Sequence, residues 1–202
     1  MRAHRARLAL FVLAVLPGIC VASFGPVMAG STSGNVNFIP GVKMLDEDDW
    51  SPVEDQGAIG VNVAWGKRTW PVQLVVDYIF SAGKEEEDLL GVNVDLKALT
   101  AEVGFGIQKT WDLSRTHPYI GGGLNMVIAQ AEVEGGGTSV TENDISPGAW
   151  VGGGVFWRLG SRFNLGVAGR LSRATVTLAE EDVEAGGLSY GLILGWGWPA
   201  AN

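Results

Sequence analysis

The chain has 202 residues, of which 30 are glycine, 8 are tryptophan and only 18% are charged, with a formal net charge of −8. Soluble domains average about 7% glycine and about 25% charged residues, so this is an unusual composition for a water-exposed globule. The acidic balance gives no support to a phosphate-seeking or nucleic-acid-binding surface.

The first 29 residues read as a signal peptide. "MRAHRAR" is a basic start, "LALFVLAVL" from Leu8 is an apolar run, and "VMA" (Val27, Met28, Ala29) places small residues before a cut after Ala29. A membrane-anchoring helix is the competing reading. It would need about 20 apolar residues, and Pro17-Gly18 interrupts this run. The single cysteine, Cys20, lies in this segment, and Ile19 before it is not the small residue a lipid anchor requires. The mature chain, residues 30–202, then has no thiol for a disulfide or a cysteine metal site. It carries 11 Lys+Arg against 22 Asp+Glu, so its charge is 11 − 22 = −11.

Period-two alternation then recurs eight times, the signature of strands with two different faces. The strands are expected near 35–44, 58–66, 71–81, 95–111, 118–132, 148–159, 163–176 and 187–198. Every one presents large apolar residues on one face. In 35–44 these are Val36, Phe38, Val42 and Met44; in 71–81, Val72, Leu74, Val76, Tyr78 and Phe80; in 187–198, Leu188, Tyr190, Leu192, Leu194, Trp196 and Trp198. The other face holds glycine, small residues and a few polar groups, as with Ser189, Gly191, Gly195 and Gly197.

The connections alternate in length. Short ones follow the second, fourth and sixth strands, and long ones fall near 45–57, 82–94, 133–147 and 177–187. Most of the 22 acids lie in or beside the long ones, including "DEDD" (46–49) and "EEED" (85–88). An even number of antiparallel strands with short turns at one end and long loops at the other predicts an all-β, up-and-down transmembrane β-barrel. Strands can cross lipid only by closing on one another, because no backbone group can be left unpaired there. Closure would pair residues 187–198 with 35–44.

The segments "HPYIGGGLNMVIA" (117–129), "VGGGVFWRLGSRFNLGVAGRLS" (151–172) and "YGLILGWGW" (190–198) resemble the small eight-stranded outer-membrane β-barrel proteins of Gram-negative bacteria, the OmpA-, OmpX- and OmpW-like group. The resemblance spans residues 35 to 198. It implies a monomer in the cell outer membrane, with membrane lipid and lipopolysaccharide around it. It also implies the barrel-assembly machinery and periplasmic chaperones as partners during biogenesis. In that family the last strand ends in an aromatic residue read during assembly. Tyr190, Trp196 and Trp198 occupy the matching positions, although "PAAN" follows here where family members commonly end on the aromatic.

A barrel of eight strands encloses little more than its own side chains. Lys43, Asp77, Glu102, Asn125 and Arg170 face inward in this register, and buried charges need partners. An ion-pair network linking Lys43 and Arg170 with Glu102 and Asp77 is expected. It would act as a structural plug, with a gated polar path as the sharper alternative. The inward glycines of the later strands would permit coiling and make room for Tyr119, Phe156 and Arg158. Trp65, Tyr78, Trp111, Trp157, Phe163, Trp196 and Trp198 face outward near strand ends, as an interfacial aromatic girdle does.

The acidic runs lack the spacing of a calcium loop, so no metal site is expected, and no cofactor. The mature chain has one histidine, His117, in a short turn, and no nucleophile motif accompanies it. The expected function is that of a non-enzymatic outer-membrane surface protein with a largely filled lumen and acidic outer loops. Envelope integrity, adhesion and surface protection are the roles in view. The alternatives are a narrow channel or carrier for small hydrophobic molecules, as in the OmpW-like branch, and a soluble periplasmic lipocalin-type barrel.

Overall fold

The computed structural model describes residues 32–89, 92–135 and 138–198. The signal peptide, its cleavage site after Ala29, Cys20 and the "PAAN" tail lie outside the described residues. The chain forms β1 (Thr32–Met44), a single helical turn α1 (Glu47–Trp50), β2 (Asp55–Lys67), β3 (Gln73–Leu89), β4 (Val92–Thr110), β5 (Thr116–Gly135), β6 (Thr138–Leu159), β7 (Phe163–Arg173), β8 (Thr175–Leu178), β9 (Glu181–Glu184) and β10 (Gly187–Trp198).

Eight antiparallel strands close into a barrel in the order β1-β10-β7-β6-β5-β4-β3-β2. The closing pair is β1 with β10, from Gly34↔Trp198 to Met44↔Leu188. The register fixes the size. From Gly34 the paired residues run through Trp65, Leu74, Ile107, Gly122, Val151, Leu171 and Leu188 back to Met44 on β1, a stagger of 44 − 34 = 10 residues. Eight strands with that stagger tilt about 40° and form a backbone cylinder of about 8 Å radius.

The expected long loops at 82–94 and 133–147 are mostly strand. The hairpins β3–β4 and β5–β6 stay paired to Leu89↔Val92 and Gly135↔Thr138. Acidic residues such as "EEED" hide this in the sequence, because a charged ribbon in water needs no apolar alternation. The last expected strand but one, 163–176, ends at Arg173. Residues 175–178 turn away to pair with 181–184 as a separate hairpin, through Ala179 and Glu180, both at positive φ (51° and 71°). Positive φ at both central residues is the geometry of the tightest hairpin turn, which Asn-Gly usually signals. Ala-Glu gives no such signal.

The barrel is inverted in polarity. Outward residues such as Phe105 (58% exposed), Leu124 (72%) and Leu192 (56%) are apolar, whereas Asn35, Asn62, Asp77, Thr100, Glu102, Asn164 and Ser172 are buried inside.

Candidate functional site: a stratified lumen

The long-loop mouth is closed by an apolar cap. Trp50 of α1, Val176 and Leu178 of β8, and Ala98, Val127 and Ala129 on the inner wall form one buried cluster. Local chemistry seats the cap. Asp46 caps α1 by accepting from the Asp48 amide at 3.0 Å. The Trp50 indole donates to the Glu184 carbonyl at 2.8 Å, and Asp49 accepts from the Glu184 amide at 2.7 Å. Asp144 holds the Thr177 amide at 2.8 Å. The acids of "DEDD" therefore include a helix cap and a strut, both fixing the cap in place.

Beneath the cap, Glu102 reaches across the lumen. Strand β4 stands opposite β10 in the ring, and the two strands flanking β10 each supply a cation, Lys43 from β1 and Arg170 from β7. Both pair across the backbone with small Ser189 of β10, which leaves room for the two long side chains to converge. Glu102 Oε1 accepts from Lys43 Nζ at 2.7 Å and from Ser172 Oγ at 3.0 Å. Its Oε2 accepts from Arg170 Nη1 at 2.7 Å and from Asn125 Nδ2 at 2.8 Å. Lys43 also donates to Thr100 Oγ1 at 2.8 Å and to the Ala185 carbonyl at 3.0 Å, which ties the network to the cap. A buried carboxylate accepting four bonds, two of them charge-assisted, is the arrangement that offsets its lost hydration.

The structure thus brings together Lys43, Glu102, Asn125 and Arg170. Asp77 is not part of that cluster. It accepts from Asn62 Nδ2 at 2.7 Å, its neighbour across the β2–β3 ladder, and forms no ion pair with Arg170 or Lys43 among the described residues. Inward orientation was legible from parity. That Asp77 lies several residues lower on the axis than Glu102 depends on the stagger.

Asp77, Asn62, Tyr119, Trp150 and Arg170 line a cavity of about 60 Å³ under the ion pairs. That is room for about four waters. Asp77 Oδ2, Arg170 Nε and Nη2, and Trp150 Nε1 have no protein partner among the described residues. Arg170 also lies over the Trp150 ring, 5.0 Å from its centroid. Bare glycine makes this possible: a Cβ on Gly104 would stand 2.9 Å from Trp150 Nε1 and 3.2 Å from Arg170 Nη2. Lower still, Phe156 is fully buried and stacks on His117 at 5.0 Å. A Cβ on Gly154 would meet the Tyr119 ring at 2.9 Å. A chain of amides, Asn164 to Asn37 at 3.1 Å and Asn37 to Asn35 at 2.8 Å, runs beside this layer.

The short-turn end is open. A vestibule of about 550 Å³ lies between the turns, with Phe156 and Gln108 at its inner limit. Here the sequence reading is least complete. Period-two parity puts Thr100 and Ser172 on the inner face beside Glu102 and Arg170, but their part in the network comes only from the structure. Trp50 and Trp150 as parts of the lumen are not foreseen. Trp50, a lone aromatic amid acids, gave a signal only as something needing burial.

At about 2.5 Å of axial rise per residue for this tilt, Trp65, Trp111, Trp157, Phe163 and Trp196 fall within roughly 6 Å of one level, at the short-turn end; Trp198 is at that level too but borders the vestibule, with its indole N–H buried. Tyr78 does not: it sits roughly 15 Å higher, in the middle of the wall, because β3 continues to Leu89 and residue 78 is no strand end. The outward residues form the broad apolar belt that lipid requires, and no helix among the described residues is long and apolar enough to cross a membrane.

Closed strands, an apolar exterior and a filled polar interior define a transmembrane β-barrel. With eight strands, a stagger of ten and short turns at one end, it is a small up-and-down barrel. Among solved structures, the chain is similar to Ail, the attachment invasion locus protein of Yersinia pestis, in complex with the heparin analogue sucrose octasulfate. That match has 13% identity over 83% of this chain and 97% of Ail, with a TM-score of 0.49. It is similar also to neisserial surface protein A, NspA, with 15% identity over 83% of this chain and 95% of the other and a TM-score of 0.41. A third is the N-terminal β-barrel domain of OprF from Pseudomonas aeruginosa, with 15% identity over 83% and 98% and a TM-score of 0.42. No family model and no curated protein matches the chain.

Proposed function

We propose that this is a non-enzymatic outer-membrane surface protein whose lumen is closed and whose work is done by its outer hairpins and cap. The short turns face the periplasm, and the tall β3–β4 and β5–β6 hairpins face the exterior, serving envelope integrity, adhesion or surface protection. The observation that carries this reading is the double seal, a dry cap resting on a carboxylate with four hydrogen-bond donors. Such a lumen passes neither ions nor solutes in the ground state.

The cavity below the seal, about 60 Å³, is far smaller than the roughly 300–1,000 Å³ of a small-molecule pocket. A carrier for hydrophobic molecules is therefore less well supported. A soluble lipocalin-type barrel would expose its apolar outer belt to water. His117 bonds through Nδ1 to Asp112 at 2.9 Å, and among the described residues no nucleophile bonds to its other ring nitrogen, which favours a non-enzymatic role. Trp198, at the end of the closing strand, would be the aromatic that the assembly machinery reads.

Fractionation and heat-dependent migration on SDS gels test the membrane assignment, and recovery in the soluble periplasm would sink it. Planar-bilayer recordings test the seal. Silence is expected from the native protein, and a stable single-channel conductance would overturn the closed-lumen reading.

A further inference from the structure

The acid-rich chain reverses its charge at one place. The vestibule at the short-turn end is lined by Lys67, Arg68, Lys109 and Arg158, with Asp112 the one acid among its described lining residues. That acid is already engaged by His117.

Of the four cations, Arg158 is the one packed against inner-wall residues, Asn164 and Phe156. Its Nε donates to Asn164 Oδ1 at 3.3 Å, and its guanidinium lies 5.8 Å from the Phe156 ring centroid. It rests against the bare backbone of Gly197, where a Cβ would come within 2.6 Å of Nη2. Its two terminal nitrogens donate to no protein group among the described residues. Trp198, on the same lining, has a buried indole N–H without a partner among the described residues. Lys67 lies over Trp70 at 5.9 Å from the ring centroid.

The mouth thus sets four cations against one acid, and a concavity with an excess of one sign of charge concentrates the opposite ion. Guanidinium and ammonium groups together suit phosphate, the first by a planar fork and the second as a point charge. At about 550 Å³ the space takes more than a bare ion.

We propose that the short-turn vestibule binds a small phosphate-bearing ligand, with Arg158 at its base and Lys67 and Arg68 at its rim. The phosphate could be that of a soluble phosphomonoester or of an anionic lipid headgroup, since the aromatic belt sets the membrane interface at the same level. Binding does not depend on how the barrel is oriented or on whether its lumen is sealed, so it stands or fails separately from the proposed function.

The test is calorimetric titration of the refolded protein at about 0.15 M salt, where exposed charges are largely screened beyond about 8 Å. The probes are inorganic phosphate and glycerol 1-phosphate in zwitterionic detergent, and nanodiscs of phosphatidylglycerol against phosphatidylcholine. Saturable phosphate binding is expected, weakened at least tenfold by Arg158→Gln and several-fold by the double change Lys67→Gln with Arg68→Gln. Lys84→Gln, at the opposite end, should leave it unchanged. The two rim residues are exposed, so the double variant keeps the test valid if Arg158→Gln does not refold. Saturation by glycerol phosphate with no preference between the two nanodiscs identifies a soluble ligand; protection of the vestibule by phosphatidylglycerol alone, lost in the same variants, identifies a headgroup. No saturable binding, or binding that survives both sets of substitutions, overturns the proposal.

Discussion

The two mouths of this barrel differ in every physical respect. At the long-loop end, acids decorate paired ribbons and a small hairpin, while the opening is stoppered by Trp50, Val176 and Leu178. At the short-turn end, cations line an open vestibule and aromatic residues ring the outside. The long-loop end closes because its connections are long enough to fold back and bury an apolar face of their own. The short turns have only a few residues, too few to reach across a cylinder of about 8 Å radius. Loop length thus decides which mouth is sealed, and charge follows, since ribbons standing in water tolerate acids and an interfacial rim holds cations and tryptophans.

Breaking the seal at its centre should have the largest effect. Glu102→Ala leaves Lys43 and Arg170 buried without their carboxylate, and removing one partner of a buried pair costs about 3–5 kcal/mol. Chemical unfolding in lipid vesicles would measure the loss, and recordings on the same variant would show whether the network alone keeps the lumen silent. Trp50→Ala should cost about 3 kcal/mol, the low end for a buried tryptophan, because the cap can partly collapse at a rim. Limited proteolysis should then cut within residues 174–186, with the barrel intact.

Away from both mouths, Leu192→Arg places a charge in the middle of the lipid-facing belt, at about 2–4 kcal/mol, read as a lower unfolding midpoint in vesicles. Gly104→Val crowds Trp150 and Arg170 and should cost about 1–3 kcal/mol by overpacking, visible in tryptophan fluorescence as well as in unfolding. The smallest effect belongs to the exposed ribbon. Lys84 pairs with Glu86 at 2.9 Å and Asp95 at 3.3 Å, and these acids hold its ammonium above the usual range. The group is fully solvated, so Lys84→Ala should leave the unfolding midpoint at neutral pH unchanged. A large loss there would show that the ribbon, and not the cap, braces the long-loop end.

Much of this could be read from the chain. Alternation placed all eight wall strands, and the closing pair of β10 with β1 follows from an even strand count. The side on which each residue lies also follows: Leu192 and Phe105 out, Glu102 and Arg170 in. The ribbon extensions and the β8–β9 hairpin could not be read, since charged ribbons do not alternate and Ala179-Glu180 carries no turn signature. The segregation of charge between the two ends was also legible, since the acids crowd the long connections; that Lys109 and Arg158 join Lys67 and Arg68 around one concavity was not.

The sequence by itself determined the wall: a strand's two faces repeat every second residue, so lipid-facing and lumen-facing positions are written locally. Only the tertiary structure decided what the lumen contains. Which inward groups meet depends on the ten-residue stagger and on strands facing each other across the cylinder, so Glu102 finds Lys43 and Arg170 while Asp77 is left to Asn62. Those are distances between residues 59 and 68 positions apart, and no local pattern encodes them.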